Sequence, residues 1–98
     1  MSTSKPPSFA RALRAVRNAK ELPQEAFALV SSRTYISTLE REIKQPTIAK
    51  VNELSSVCEV HPLTLLTLSY CRTGKRAEVG RLLSAVREEI ESLGGLNL

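Results

Sequence analysis

The chain has no tryptophan, and two phenylalanines and two tyrosines make up its whole aromatic complement. So sparse a set argues against a β-sandwich, whose strands draw on aromatic and β-branched residues, and favours packed aliphatic helices. Cysteine is nearly absent as well: Cys58 and Cys71 are the two, with His61 the single histidine. Two thiols thirteen residues apart and one imidazole do not make a zinc site, so neither metal nor cofactor is expected. Both cysteines fall in apolar helical patterns and are expected as buried, reduced thiols. His61 precedes a helix-starting proline, which suits a capping or surface residue. No apolar run approaches the roughly 20 residues of a membrane span. The polar opening MSTSKPPS lacks the apolar stretch of a secretory signal. The expectation is a soluble, cytoplasmic protein. Also missing are a nucleophile–base pair, a catalytic carboxylate cluster and a phosphate loop, so no enzyme is expected.

What is present is helical and basic. Ninety-eight residues, 42% of them hydrophobic, suit one domain. The net charge of +4 is unevenly placed. Residues 1–50 carry nine Lys/Arg against four Glu, whereas residues 51–98 carry five against six. The excess positive charge therefore lies in the first half, where a phosphate backbone is its natural partner. A merely solvated basic face is the alternative on charge alone.

Apolar periodicity divides the chain into six helices and no sheet. Residues 1–7 have no periodicity and read as a disordered arm. Ser8 is placed to cap a first helix that carries Phe9, Leu13 and Val16 inward and ends near Lys20 or Glu21. Arg11, Arg14, Arg17 and Lys20 form its basic flank. Pro23 suits the start of a second helix, from about Gln24 to Leu29, with Ala26, Phe27 and Val30 inward. Ser32 caps a third, from Arg33 to about Glu42, that buries Ile36, Leu39 and Ile43. Pro46–Thr47 opens a fourth, with Ile48, Val51, Leu54 and Val57 as its stripe. His61–Pro62 opens a leucine-rich fifth with Leu63, Leu65, Leu66 and Leu68. A last helix runs from about Arg76 to Leu93, stopped by Gly94–Gly95. The expected organisation is an arm (1–7), a helical domain (8–73) whose second and third helices carry the DNA-binding chemistry set out next, and a C-terminal helix (74–98).

The stretch Pro23–Gln45 concentrates the chemistry. Its second helical pattern buries Ile36 and Leu39 on one side and exposes Arg33, Thr34, Ser37 and Thr38 on the other. A helix propped on another, with an arginine and short donors at its leading end, suits the DNA major groove, about 12 Å wide. Arg33 can read guanine through O6 and N7, and a threonine can hydrogen-bond or pack its methyl on thymine. Gln24, assisted by a helix dipole, is a candidate phosphate contact. Arg41 and Lys44 are two more, and Arg11 or Arg14 could also touch the backbone.

The segments RNAKELPQEAFA, SRTYISTLERE and QPTIAKVNELSSVCEVHPLTLL, spanning about Ala12 to Leu66, resemble the phage-repressor and Cro (XRE-like) helix-turn-helix family. The most specific piece is YISTLERE followed by the Pro-Thr start of the next helix. The resemblance implies a compact five-helix, lambda-repressor-like domain, here followed by the C-terminal helix. It implies that Gln24 grips a phosphate, that Ser32, Arg33, Thr34 and Thr38 face bases or nearby phosphates, and that Tyr35 lies near the sugar–phosphate backbone. Arg17 and Glu40 match a structural pair tying the first helix to the third. Three positions depart from the family pattern. Pro23 replaces the usual serine cap, the Gln24–Tyr35 interval is two residues short, and Glu42 stands where glycine is common. The first departure removes a cap, the second requires the second helix or its turn to be trimmed, and the third puts a backbone–phosphate approach in doubt.

In the last helix, Val79, Leu83, Val86, Ile90 and Leu93 are spaced 4, 3, 4, 3, a heptad seam. It can pack on its own domain or form a homodimer contact, with help from the leucine-rich fifth helix. The combined expectation is a repressor that binds a palindromic operator in double-stranded DNA as a homodimer through its third helix. The competing reading is an antitoxin-like module that binds a protein partner, a toxin, and autoregulates.

Overall fold

A computed structural model of the chain describes residues 7–41 and 45–98. Its elements are α1 (Phe9–Ala19), a 3-10 segment η1 (Gln24–Phe27), α2 (Arg33–Glu40), α3 (Ile48–Cys58), α4 (Pro62–Ser69) and α5 (Arg76–Ser92). Among the described residues there is no strand, and the fold is all-α.

Local chemistry sets most of the helix starts. Ser8 Oγ accepts from the Arg11 amide at 3.1 Å, Ser32 Oγ from Tyr35 at 3.0 Å and Thr47 Oγ1 from Lys50 at 3.1 Å. Each such cap satisfies an amide that has no partner within its helix and is worth about 1 kcal/mol. His61 caps α4, its Nδ1 accepting from Leu63 N at 3.0 Å, and Pro62 follows where its missing N–H does no harm.

The helices meet around one core. Phe9, Leu13 and Val16 of α1, Phe27 of η1, Ile36 and Leu39 of α2, Val51, Leu54 and Cys58 of α3 and Leu65 of α4 form a single buried cluster. α1 is its spine, packing against both α4 and α2. Ala10 and Ala12 are buried, and their short side chains let those neighbours come close. Cys58 and Cys71 are buried free thiols, and burial pushes both thiols up from the ordinary cysteine range. They are therefore held in the protonated, unreactive form.

Three sequence expectations need correction. The second helix is the four-residue 3-10 segment η1, followed by a turn over residues 28–30. Pro23 supplies no side-chain cap, and Phe27 is its one fully buried residue. One large anchor and no cap cannot carry a longer helix through so short an interval. As a result α2 is the helix expected third. It ends at Glu40 with Arg41 as its cap, not at Glu42. Ile48, placed by its spacing in the core stripe, is 78% exposed, because at the first position of α3 it borders an open surface hollow with Phe9, Leu66 and Tyr70 and is not covered by them. The readings placed on Glu42, Ile43 and Lys44 fall outside the described residues.

α5 differs from the other helices in burying none of its 17 residues. It packs on α4 through the half-buried Val79 and Leu82. Its base is tied to the preceding loop by Glu78. That carboxylate accepts from the amides of Arg72, Thr73 (2.8 Å) and Gly74 (3.0 Å) and from Thr73 Oγ1 (2.8 Å). Gly74 sits at φ +72°, a left-handed position that a side chain rarely adopts, so glycine permits the loop's turn into α5.

Candidate nucleic-acid interface

The interface is built from the back of α2 outward. Glu40 is 4% exposed, and every acceptor it carries is used. Arg17 on α1 approaches it side-on, with Nε 2.7 Å from Oε2 and Nη2 3.0 Å from Oε1. Gln24 Nε2 adds a third donor to Oε1 at 3.1 Å, and Arg14 Nη2 donates to the Glu40 carbonyl. Arg17 also donates to the Leu22 carbonyl at 3.0 Å. The hydrogen bond with Glu40 raises the Arg17 pKa above its already high ordinary value. A planar guanidinium meeting a carboxylate at two points fixes angle as well as distance. Through it α1, η1 and the C-terminal end of α2 are held in one geometry.

On the opposite side α2 presents its leading turn. Arg33 is 74% exposed at the side chain and lies 4.0 Å from Glu25, itself 62% exposed, a surface pair of little strength. Thr34 is exposed, and Ser37 and Thr38 are half-buried. Thr38 Oγ1 donates to the Tyr35 carbonyl at 2.7 Å, so its hydroxyl proton is already used within α2. Ser32 uses an oxygen lone pair for its cap and keeps its hydroxyl proton free to donate. Arg41 is exposed at the far end.

Gln24 is placed differently from the sequence expectation. Its amide faces Glu40, and a four-residue 3-10 segment offers no substantial dipole to attract a phosphate. One hydrogen of its amide remains for an outside acceptor. The basic flank of α1 is likewise turned inward in part. Arg11 donates to the Cys71 carbonyl and Arg14 to that of Glu40.

Lys50 was not singled out by the sequence. Its ammonium donates to the Val30 carbonyl at 2.7 Å, pairs with Glu53 Oε1 at 2.8 Å and stands 5.4 Å from the centre of the Tyr35 ring. These three contacts join α3, the turn before α2 and the first turn of α2. The i,i+3 relation to Glu53 was available in the sequence, but the Val30 carbonyl twenty residues away was not.

The seam residues of α5 stand far from this face in sequence and are open. Leu83, Val86, Ile90 and Leu93 are 42–64% exposed, and Val79 is half-buried. Among the described residues no group of His, Cys, Asp and Glu is arranged to hold a metal, and no helix is long and apolar enough to cross a membrane.

A family model described as helix-turn-helix matches residues 13–65, from the middle of α1 into α4. No curated protein and no solved structure matches the chain. The matched segment is the one in which an internally braced α2 presents its outer face, and over more than half its length the chain belongs to the XRE-like helix-turn-helix family of DNA-binding transcription regulators.

Proposed function

We propose that the protein is a sequence-specific repressor that binds a palindromic operator as a homodimer, with α2 in the major groove. The carrying observation is the two-sidedness of α2: Glu40 and Leu39 anchor its back while Arg33 and Thr34 stand exposed on its leading turn. In this reading Arg33 pairs with guanine, and Thr34, Ser37 and the Thr38 methyl complete the base contacts. Ser32, Tyr35, Arg41, Lys44 and the remaining amide hydrogen of Gln24 grip phosphates and set the register. The seam Val79, Leu83, Val86, Ile90 and Leu93 joins two copies. Their two α2 helices then address half-sites one helical turn, about 34–36 Å, apart.

Selection of bound fragments from random DNA tests this directly. The expected result is one enriched palindrome, bound with a steep salt dependence. Arg33→Ala should then relax preference at one base position and weaken binding by about 1–3 kcal/mol. No enrichment, or unchanged discrimination in that variant, would refute the reading.

The exposed apolar edge of α5 also supports a second reading, an antitoxin-like regulator whose C-terminal helix is covered by a protein toxin. A stable one-to-one complex with a toxin encoded beside it would favour that reading.

A further inference from the structure

η1 brings a carboxylate to the leading turn of α2. The segment is fixed from behind: Phe27 is fully buried, and Gln24 Nε2 is held on Glu40 Oε1 at 3.1 Å. Between these two anchors the Glu25 carbonyl accepts from Ala28 N at 3.1 Å, so its backbone is held within η1. The Glu25 side chain is 62% exposed, and its Oε2 stands 4.0 Å from Arg33 Nη1. At that exposure the pair adds little to stability. Its position matters more, because the guanidinium assigned to guanine carries an acceptor beside it. A carboxylate brought to DNA is repelled by the phosphates whatever the sequence, and that cost is offset only where it meets a hydrogen-bond donor.

We propose that Glu25 is a second base reader, accepting a hydrogen bond from the exocyclic amine of a cytosine or adenine on the base pair next to the guanine that Arg33 takes. The inference rests on the DNA-reading part of the proposed function and not on its dimer part.

Chemistry narrows the partner. A carboxylate accepts and does not donate. The donors of the major groove are cytosine N4 and adenine N6, whereas guanine N7 and O6, adenine N7 and thymine O4 are acceptors. Spacing narrows the place. Successive base pairs lie about 3.4 Å apart along the duplex, and the Glu25 oxygen lies 4.0 Å from the Arg33 nitrogen. With Arg33 on guanine O6 and N7, that oxygen comes level with the neighbouring pair. Every base pair carries one such amine, so Glu25 reads the strand that bears it. A or C is accepted there, and G or T is refused. The refusal is as important as the contact, since a keto oxygen facing a carboxylate leaves both groups unpaired and repelling.

The test measures binding of the full chain to the operator obtained by selection, with each of the four bases placed in turn on either side of the guanine that Arg33→Ala relaxes. At one of these positions the unaltered protein should prefer A or C to G or T by at least about fivefold, the lower end for one base contact. Glu25→Gln should flatten that preference, because a carboxamide can turn its NH2 toward a keto oxygen. The preference of Arg33 for its guanine should persist in the same variant. The side chain is exposed, so folding is preserved and is checked by circular dichroism. A Glu25→Gln variant that keeps the preference would overturn the proposal, as would an unaltered protein that shows none at either position. A uniform gain in affinity on all four bases and on unrelated DNA would overturn it too, because Glu25 then only repels phosphates. If Arg33→Ala relaxes no position, the assignment of Arg33 fails and Glu25 loses its role with it. A relaxed Arg33 position beside a silent Glu25→Gln removes Glu25 alone.

Discussion

Lys50 holds the carbonyl of Val30, 2.7 Å from its ammonium, in the turn that launches α2. The same ammonium is paired with Glu53 and faces the Tyr35 ring, so its donors are directed at the protein itself. The prediction is that Lys50 influences DNA binding through the angle of α2 and not through a phosphate.

Lys50→Met keeps the aliphatic stem and removes the donors. The expected loss of stability is about 1–2 kcal/mol, the scale of one charge-assisted hydrogen bond, read from urea unfolding. Affinity for a selected operator should fall while the salt slope stays unchanged. A slope shallower by about one unit would instead assign Lys50 to a phosphate.

The Arg17–Glu40 pair predicts a different pattern. Arg17→Met leaves a carboxylate with 4% exposure facing Gln24 alone, and it should cost about 3–5 kcal/mol. Adding Glu40→Leu should recover much of that loss, because the uncompensated buried charge is then gone. A double variant as unstable as the sum of the two singles, by chemical denaturation, would show that the pair is not coupled.

What the sequence disclosed follows the range of the interaction. The starts at Ser8, Ser32, Thr47 and Pro62 depend on groups two or three residues apart, so they are legible locally. Phe9, Leu13 and Val16, or Val51 and Leu54, announce a buried face by period alone. The failure at Gln24–Leu29 is also physical. QEAFAL is a fair helical string, but without a cap and with one deep anchor it gains too little to close α-helical turns. Ile48 shows the limit of periodicity, which places a residue on a stripe but does not say whether the neighbouring helix reaches that end of it. Around α2, the exposure of Arg33 and Thr34 could be inferred from the inward Ile36 and Leu39. The Lys50–Val30 contact could not, because it depends on how α3 is placed in three dimensions. The Arg17–Glu40 pairing came through family resemblance, since 23 residues separate the two.

Glu59 predicts a gain. It caps α3 in the left-handed conformation at φ +59°, ψ +43°, and is exposed. A non-glycine residue there costs about 1–2 kcal/mol relative to the right-handed region. Glu59→Gly should therefore stabilise by up to about 1 kcal/mol once glycine's larger unfolded-state entropy is counted. The midpoint of thermal unfolding should rise by a few degrees, about 4–8 °C per kcal/mol for a chain of this size. A lower midpoint would mean that the Glu59 side chain makes a contribution its exposure does not suggest.

Glu78 gives the pH dependence. The backbone amides of Arg72 and Thr73 hold its carboxyl well below the ordinary range, at about 2 against 4.5. With the folded pKa below the unfolded one, its contribution is fully present above about 4.5 and is lost as pH falls toward 2. The loop that fixes the base of α5 should thus stay closed through mild acid and open only near the bottom of that window. An NMR titration of the Thr73 and Gly74 amide protons should report a midpoint well below 4.5, and Glu78→Gln should abolish it. A midpoint at the ordinary carboxylate value would mean that these amides do not hold the carboxylate in solution. The tether between α4 and α5 would then have to lie in the apolar contacts of Val79 and Leu82 alone.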